Sequence, residues 1–184
     1  MATKLVGFNA TQTRTLTSDF AEAARLCMVA VNSLIINAQM QINQRPQDLL
    51  KLAFHISASD ANFDDEVQTI KNTFISIPGR ATVVTVSHDT SHPTAATNTI
   101  EFVAFTKDSS PNFVFVRDAY FSRAQRDRAL TLMHECVHLI YPPSSGDGHP
   151  GGVVIMFAEG DVGIDYNDAS KNPYCYQYFV DWLH

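Results

Sequence analysis

Apolar residues recur at three- and four-residue intervals from Ser18 to about Asn43, at Phe20, Ala24, Cys27, Val31, Leu34, Ala38 and Met40. That period predicts a long, largely buried helix, with Ser18 available as its cap and Pro46 closing the segment. A second helix is expected from near Pro46 through PQDLLKLAFHI, and a third through DANFDDEVQTIKNTFISI, whose acidic residues Asp60 to Glu66 suit a helix amino terminus. After Pro78-Gly79 the period changes. ATVVTVSHD, TIEFVAFT and NFVFVRDAYF are short, rich in valine, threonine and phenylalanine, and separated by turn residues, so three strands are predicted. From Ser122 to Tyr141 the helical period returns at Ala129, Leu132, Met133, Cys136, Val137 and Ile140. Ser122 and Gln125 have the spacing of a capping box, and Pro142 and Pro143 stop the segment. VVIMFAEG fits a helix or a strand, and DASKNPYCYQYFVDWLH reads as an aromatic-rich packing helix. The order of elements is that of an α+β domain: amino-terminal helices, a small mostly antiparallel sheet, one further helix and a closing carboxyl-terminal helix.

Composition narrows the function classes. The 184 residues are 45% hydrophobic and 17% charged, enough to bury a full core, and no repeat or linker divides the chain, so residues 1–184 are expected to form one domain. A net charge of -6 argues against a nucleic-acid groove. Arg123, Arg126 and Arg128 are too few and too local to alter that, and are expected on the solvated face of their helix. No apolar run reaches the roughly 20 residues of a membrane span. The first twenty residues lack the apolar segment of a secretory signal, which leaves the cytosol or a signal-less route of export. Three widely spaced cysteines, Cys27, Cys136 and Cys175, make no disulfide framework; Cys27 and Cys136 fall on apolar faces as small core residues. Asn9-Ala10-Thr11 has the form of a glycosylation acceptor, without meaning in the absence of a secretory signal. His55 sits among apolar neighbours and reads as a packed histidine with one hydrogen bond.

The chemistry concentrates in the helix Ser122 to Tyr141. His134 and His138 are four residues apart, a spacing that stacks both imidazoles on one helix face where they can share a metal. Glu135 follows the first of them, completing H-E-x-x-H, in which two histidines bind zinc and the glutamate is general base towards a water. A catalytic zinc usually takes three protein ligands and keeps a position open. The turn-rich segment YPPSSGDGHPGG beyond the helix offers two candidates for the third, Asp147 and His149. His88 and His92 flank the turn SHDTSHPT, which offers no further clear ligand for a second metal.

From HECVH, the turn Ser144-Ser145-Gly146-Asp147-Gly148-His149-Pro150-Gly151 and the closing NPYCYQYF, the chain resembles the deuterolysin and peptidyl-lysine metalloendopeptidase family of zinc metalloproteases, the aspzincins, as a divergent member. In that family an aspartate of a G-T-x-D-x-x-Y-G turn completes the zinc site, and the closing segment reads N-A-D-x-Y-E-x-F. The resemblance implies a zincin-like fold, a Zn2+ cofactor held by His134, His138 and Asp147, and Glu135 as the catalytic base. It also implies three departures. The family's turn tyrosine, an oxyanion donor, is Pro150 here, which leaves His149, Tyr166 or Tyr176 as candidate donors. The acidic residues attributed to lysine preference are Tyr174 and Gln177, which suit a neutral or apolar side chain better than an ammonium. The cysteines of the secreted members have no evident equivalents.

The expected function is a zinc-dependent endopeptidase acting on a peptide or protein substrate, with NFVFVRDAYF or TIEFVAFT offering a strand edge to it. The alternative is a degenerate zinc-binding peptide or protein interaction module without turnover. The retained Glu135 opposes that alternative, and the missing turn tyrosine favours it.

Overall fold

The computed structural model describes residues 3–35, 42–90, 104–107, 110–142 and 165–183. Strand β1 (Lys4–Val6) leads into the helices α1 (Ala10–Ser33), α2 (Gln44–Phe54) and α3 (Phe63–Ala81). Strands β2 (Thr85–His88), β3 (Ala104–Lys107) and β4 (Ser110–Val116) follow, then α4 (Asp118–Phe121), α5 (Gln125–Ile140), α6 (Tyr166–Ala169) and α7 (Pro173–Trp182). The α+β class is as expected. Among the described residues, no helix is long and apolar enough to cross a membrane.

The sheet corrects the expectation of mostly antiparallel pairing. Its order is β1-β2-β4-β3, with β1 parallel to β2, β2 parallel to β4, and β3 alone antiparallel to β4. Two features cause this. The three-residue β1 carries too little pattern to be predicted, and the chain crosses through α1, α2 and α3 before β2 lies beside it in the same direction. The β3–β4 hairpin then reverses the chain and inserts β4 between β2 and β3. β4 therefore has both edges paired, and of the two strands expected to offer an edge only TIEFVAFT, through β3, lies at the border of the sheet among the described residues.

Several helix ends also move, each for a local reason. α1 begins at Ala10 rather than near Ser18, because the Asn9 side chain accepts hydrogen bonds from the Thr11 and Gln12 amides while the Asn9 amide donates one to Gln12 Oε1. The glycosylation-like tripeptide is thus a helix cap. The carboxyl end expected for that helix lies beyond Ser33, partly outside the described residues. α2 stops at His55, which takes the left-handed conformation (φ 58). α3 continues through Pro78 and Gly79, where less than one more turn follows and little backbone pairing is lost. The expected strand NFVFVRDAYF is divided: β4 ends at Val116 and DAYF forms α4. Ser122 does not cap α5, since its hydroxyl donates to Ala119 O and the Gln125 amide reaches Ser18 instead. The closing segment is two helices, broken where Asn172 caps α7 and Pro173 occupies its first turn.

The core has two parts with α5 between them. On one side Phe54, Phe74, Tyr176 and Phe179 meet in tilted and edge-to-face pairs, among them Phe54 and Phe74 against Tyr176 at 5.0 and 5.1 Å, and α5 contributes Leu130, Met133, Cys136 and Val137. On the other side Val86, Val114, Val116, Leu16 and Tyr120 form a smaller cluster, joined by Leu132 of α5. Every residue of α5 from Ala129 to His138 is buried. The helix is therefore enclosed, not merely docked by one face. Cys27, Cys136 and Cys175 are free and buried, as small core residues.

Candidate functional site

His134, Glu135 and His138 lie on the enclosed stretch of α5 and are only 4%, 5% and 8% exposed, which is unusual for three polar side chains in one turn. Because α5 is regular here, the two histidines share a face, and their ring centroids are 5.0 Å apart at 72°. Glu135 lies on the side of the helix between the histidines and the sheet-facing Leu132 and Leu139.

The surroundings of each group come from a different element. His134 meets α7 twice: the Tyr174 ring stands edge-on to it at 4.5 Å, and its Nδ1 donates to Gln177 Oε1 at 3.1 Å. Glu135 meets β3. The register of β3 against β4 slips between Phe105 and Lys107, leaving Thr106 out of the ladder, and the Thr106 N–H bonds to the Glu135 carboxylate. Irregularities of this kind re-aim backbone groups beside functional sites. Burial pushes the Glu135 carboxyl up to about 8, and the Thr106 N–H acts against that shift. Its Oε2 is buried with no hydrogen-bond partner among the described residues.

This donor set fits a divalent metal of the zinc type. Two imidazoles one helical turn apart supply its preferred nitrogen ligands, and the orphaned carboxylate oxygen beside them marks a place where the fold leaves a polar atom for something else to satisfy. Among the described residues no group of three or more His, Cys, Asp or Glu side chains is placed to hold a metal, so the ligand set is not completed there. Asp147 and His149 lie outside the described residues.

Other candidates separate from this cluster. Tyr176 is fully buried and its hydroxyl donates to Ser170 O at 2.6 Å, while the Tyr166 hydroxyl donates to Glu66 O at 3.3 Å. Both hydroxyls are held by backbone carbonyls, which leaves neither of them free in this arrangement to serve an oxyanion. His88 is engaged structurally, stacked on Phe8 at 5.2 Å with Nε2 2.9 Å from Asp118 and Nδ1 3.3 Å from Gly7 O; His92 lies outside the described residues.

The arginines expected on the solvated face divide as well. Arg128 forms a two-pronged ion pair with the fully buried Asp19, at 2.8 and 3.0 Å, and Tyr120 adds a hydroxyl to the same carboxylate at 2.9 Å. The Asp19 hydrogen bond is the main reason the Arg128 guanidinium is held above its usual pKa. Arg126 reaches Asp181 and the Val180 and Asp181 carbonyls at the end of α7. These contacts fix the amino-terminal half of α5 to α1 and α7. Sequence reasoning passed over Thr106 and assigned Gln177 only a pocket role. Neither has a local signal, because each meets the motif only after β3 and α7 have packed on α5.

No family model and no curated protein matches the chain. Its structure is similar to that of the zinc peptidase from Grifola frondosa, with a TM-score of 0.61, 15% identity, and coverage of 95% of this chain and 96% of that one. The chain thus has the fold of a known zinc peptidase over nearly its whole length.

Proposed function

We propose that the chain is a zinc-dependent endopeptidase. The observation that carries this reading is the buried His134, Glu135, His138 cluster on α5, within a fold like that of the Grifola frondosa zinc peptidase. His134 and His138 hold the metal, and Asp147 is the third ligand by its place in the turn after the helix, with His149 as its competitor. Bound zinc supplies Lewis acidity towards a carbonyl and a lowered pKa for water. Glu135 takes the proton of the attacking water and passes it to the departing amine. The Thr106 N–H fixes one side of the carboxylate. Among the described strands β3 lies at the sheet border and touches the base through Thr106, so it is the strand that aligns an extended peptide by main-chain pairing. Tyr174 and Gln177 beside His134 favour a neutral or apolar side chain near the cleaved bond.

The test is metal analysis and peptide-library digestion for the native chain and Glu135→Gln. Native protein is expected to carry about one zinc per chain and to cleave. The variant should keep its zinc and lose hydrolysis by on the order of 100- to 10,000-fold. Undiminished cleavage by Glu135→Gln would remove the proposal. Native protein that binds zinc and leaves every peptide intact is the interaction module instead.

A further inference from the structure

Two side chains one turn apart on α7, Tyr174 and Gln177, converge on one imidazole of α5. The first sets the plane of the His134 ring by an edge-on contact at 4.5 Å, and the second meets its Nδ1 at 3.1 Å. An amide oxygen carries no proton, so Gln177 Oε1 can only accept, and His134 must hold its hydrogen on Nδ1. In a neutral imidazole that leaves the lone pair on Nε2. α7 is itself well anchored: Asn172 caps its amino end, and the guanidiniums of Arg126 and Arg45 bind the carbonyls of its last turn. Gln177 is thus presented from a rigid element.

We propose that Gln177 is a positioning residue for His134, holding its imidazole in the Nδ1–H tautomer so that Nε2 is the nitrogen available to a metal. This rests on the zinc reading above for its purpose, though the tautomer does not depend on it. Residues that bond the far nitrogen of a ligating histidine orient the ring and set its strength as a ligand. A neutral amide does this without adding negative charge, whereas a carboxylate at the same position would raise the basicity of the ring further.

The experiment has two readouts on the full chain. Long-range proton–nitrogen NMR of the metal-free protein reports the His134 tautomer, which is expected to be Nδ1–H in the native chain and mixed in Gln177→Leu. Competition between the protein and a chelator for zinc sulfate, at fixed pH, should show Gln177→Leu weaker by on the order of 10- to 100-fold. Gln177→Glu keeps the acceptor, so it should retain the native tautomer and bind zinc at least as tightly as the native chain. A folded Gln177→Leu with the native tautomer and native zinc affinity overturns the proposal. Should Gln177→Leu fail to fold, Gln177→Glu decides alone: loss of the Nδ1–H tautomer, or weaker zinc binding, overturns it. If the native chain takes no zinc, the zinc reading falls while the NMR result still decides the role of Gln177. If zinc binding responds to Gln177 and no peptide is cut, the endopeptidase reading fails on its own.

Discussion

Two polar clusters meet α5 less than two turns apart, at Arg128 and at Glu135, and they are treated oppositely by the fold. Around Arg128 the carboxylate of Asp19 receives both prongs of the guanidinium and the Tyr120 hydroxyl, so its hydrogen-bonding capacity is met from within. Around Glu135 one carboxylate oxygen is left without a partner among the described residues, and burial drives the group towards its neutral form. A buried charge whose neighbours complete it is a fastening. A buried carboxylate with one oxygen unpaired among the described residues is, on the reading proposed above, a working group rather than a fastening, and the cost of burying it is borne by the packing around it.

That contrast can be broken by substitution. Asp19→Ala, which strands the Arg128 guanidinium, should destabilise the protein by about 3 kcal/mol or more in urea unfolding. Glu135→Gln should show no such loss, and its urea midpoint should be equal to or above that of the native metal-free chain; a drop as large as that of Asp19→Ala would mean that both clusters are fastenings. Tyr120→Phe removes one of the three hydrogen bonds on Asp19 and should cost about 1 kcal/mol by the same measurement. Smallest is Arg126→Ala: this arginine is on the same helix, but its ion pair with Asp181 is 34% and 44% exposed. Its loss should cost less than about 1 kcal/mol, separating an exposed pair from a buried one.

What could be read from the sequence follows the range of the interactions. His134, Glu135 and His138 were legible because their relation is set inside one helix by a fixed period. The helices α2, α3, α5 and α7 were legible from their apolar spacing, and the α+β order from the change of period after α3. The cap at Asn9 was hidden because its bonds, from the Thr11 and Gln12 amides to its side chain and from its own amide to Gln12 Oε1, exist only once the helix has formed. The parallel pairing of β1 with β2 was hidden because strand direction depends on a crossover through three helices rather than on either strand's composition. The ion pair of Arg128 with the buried Asp19 was hidden for a similar reason, the two residues being 109 apart. Thr106 and Gln177 enter the site only through packing, and a threonine in an edge strand or a glutamine in a closing helix announces nothing by itself.

The placement of α7 has a consequence for the order in which the protein comes into being. H-E-x-x-H leaves the ribosome well before Tyr174 and Gln177 do. A nascent chain ending short of Pro173 therefore holds the entire motif without the helix that frames its first histidine. The surroundings of His134 are finished only when residues made after the motif fold back onto α5.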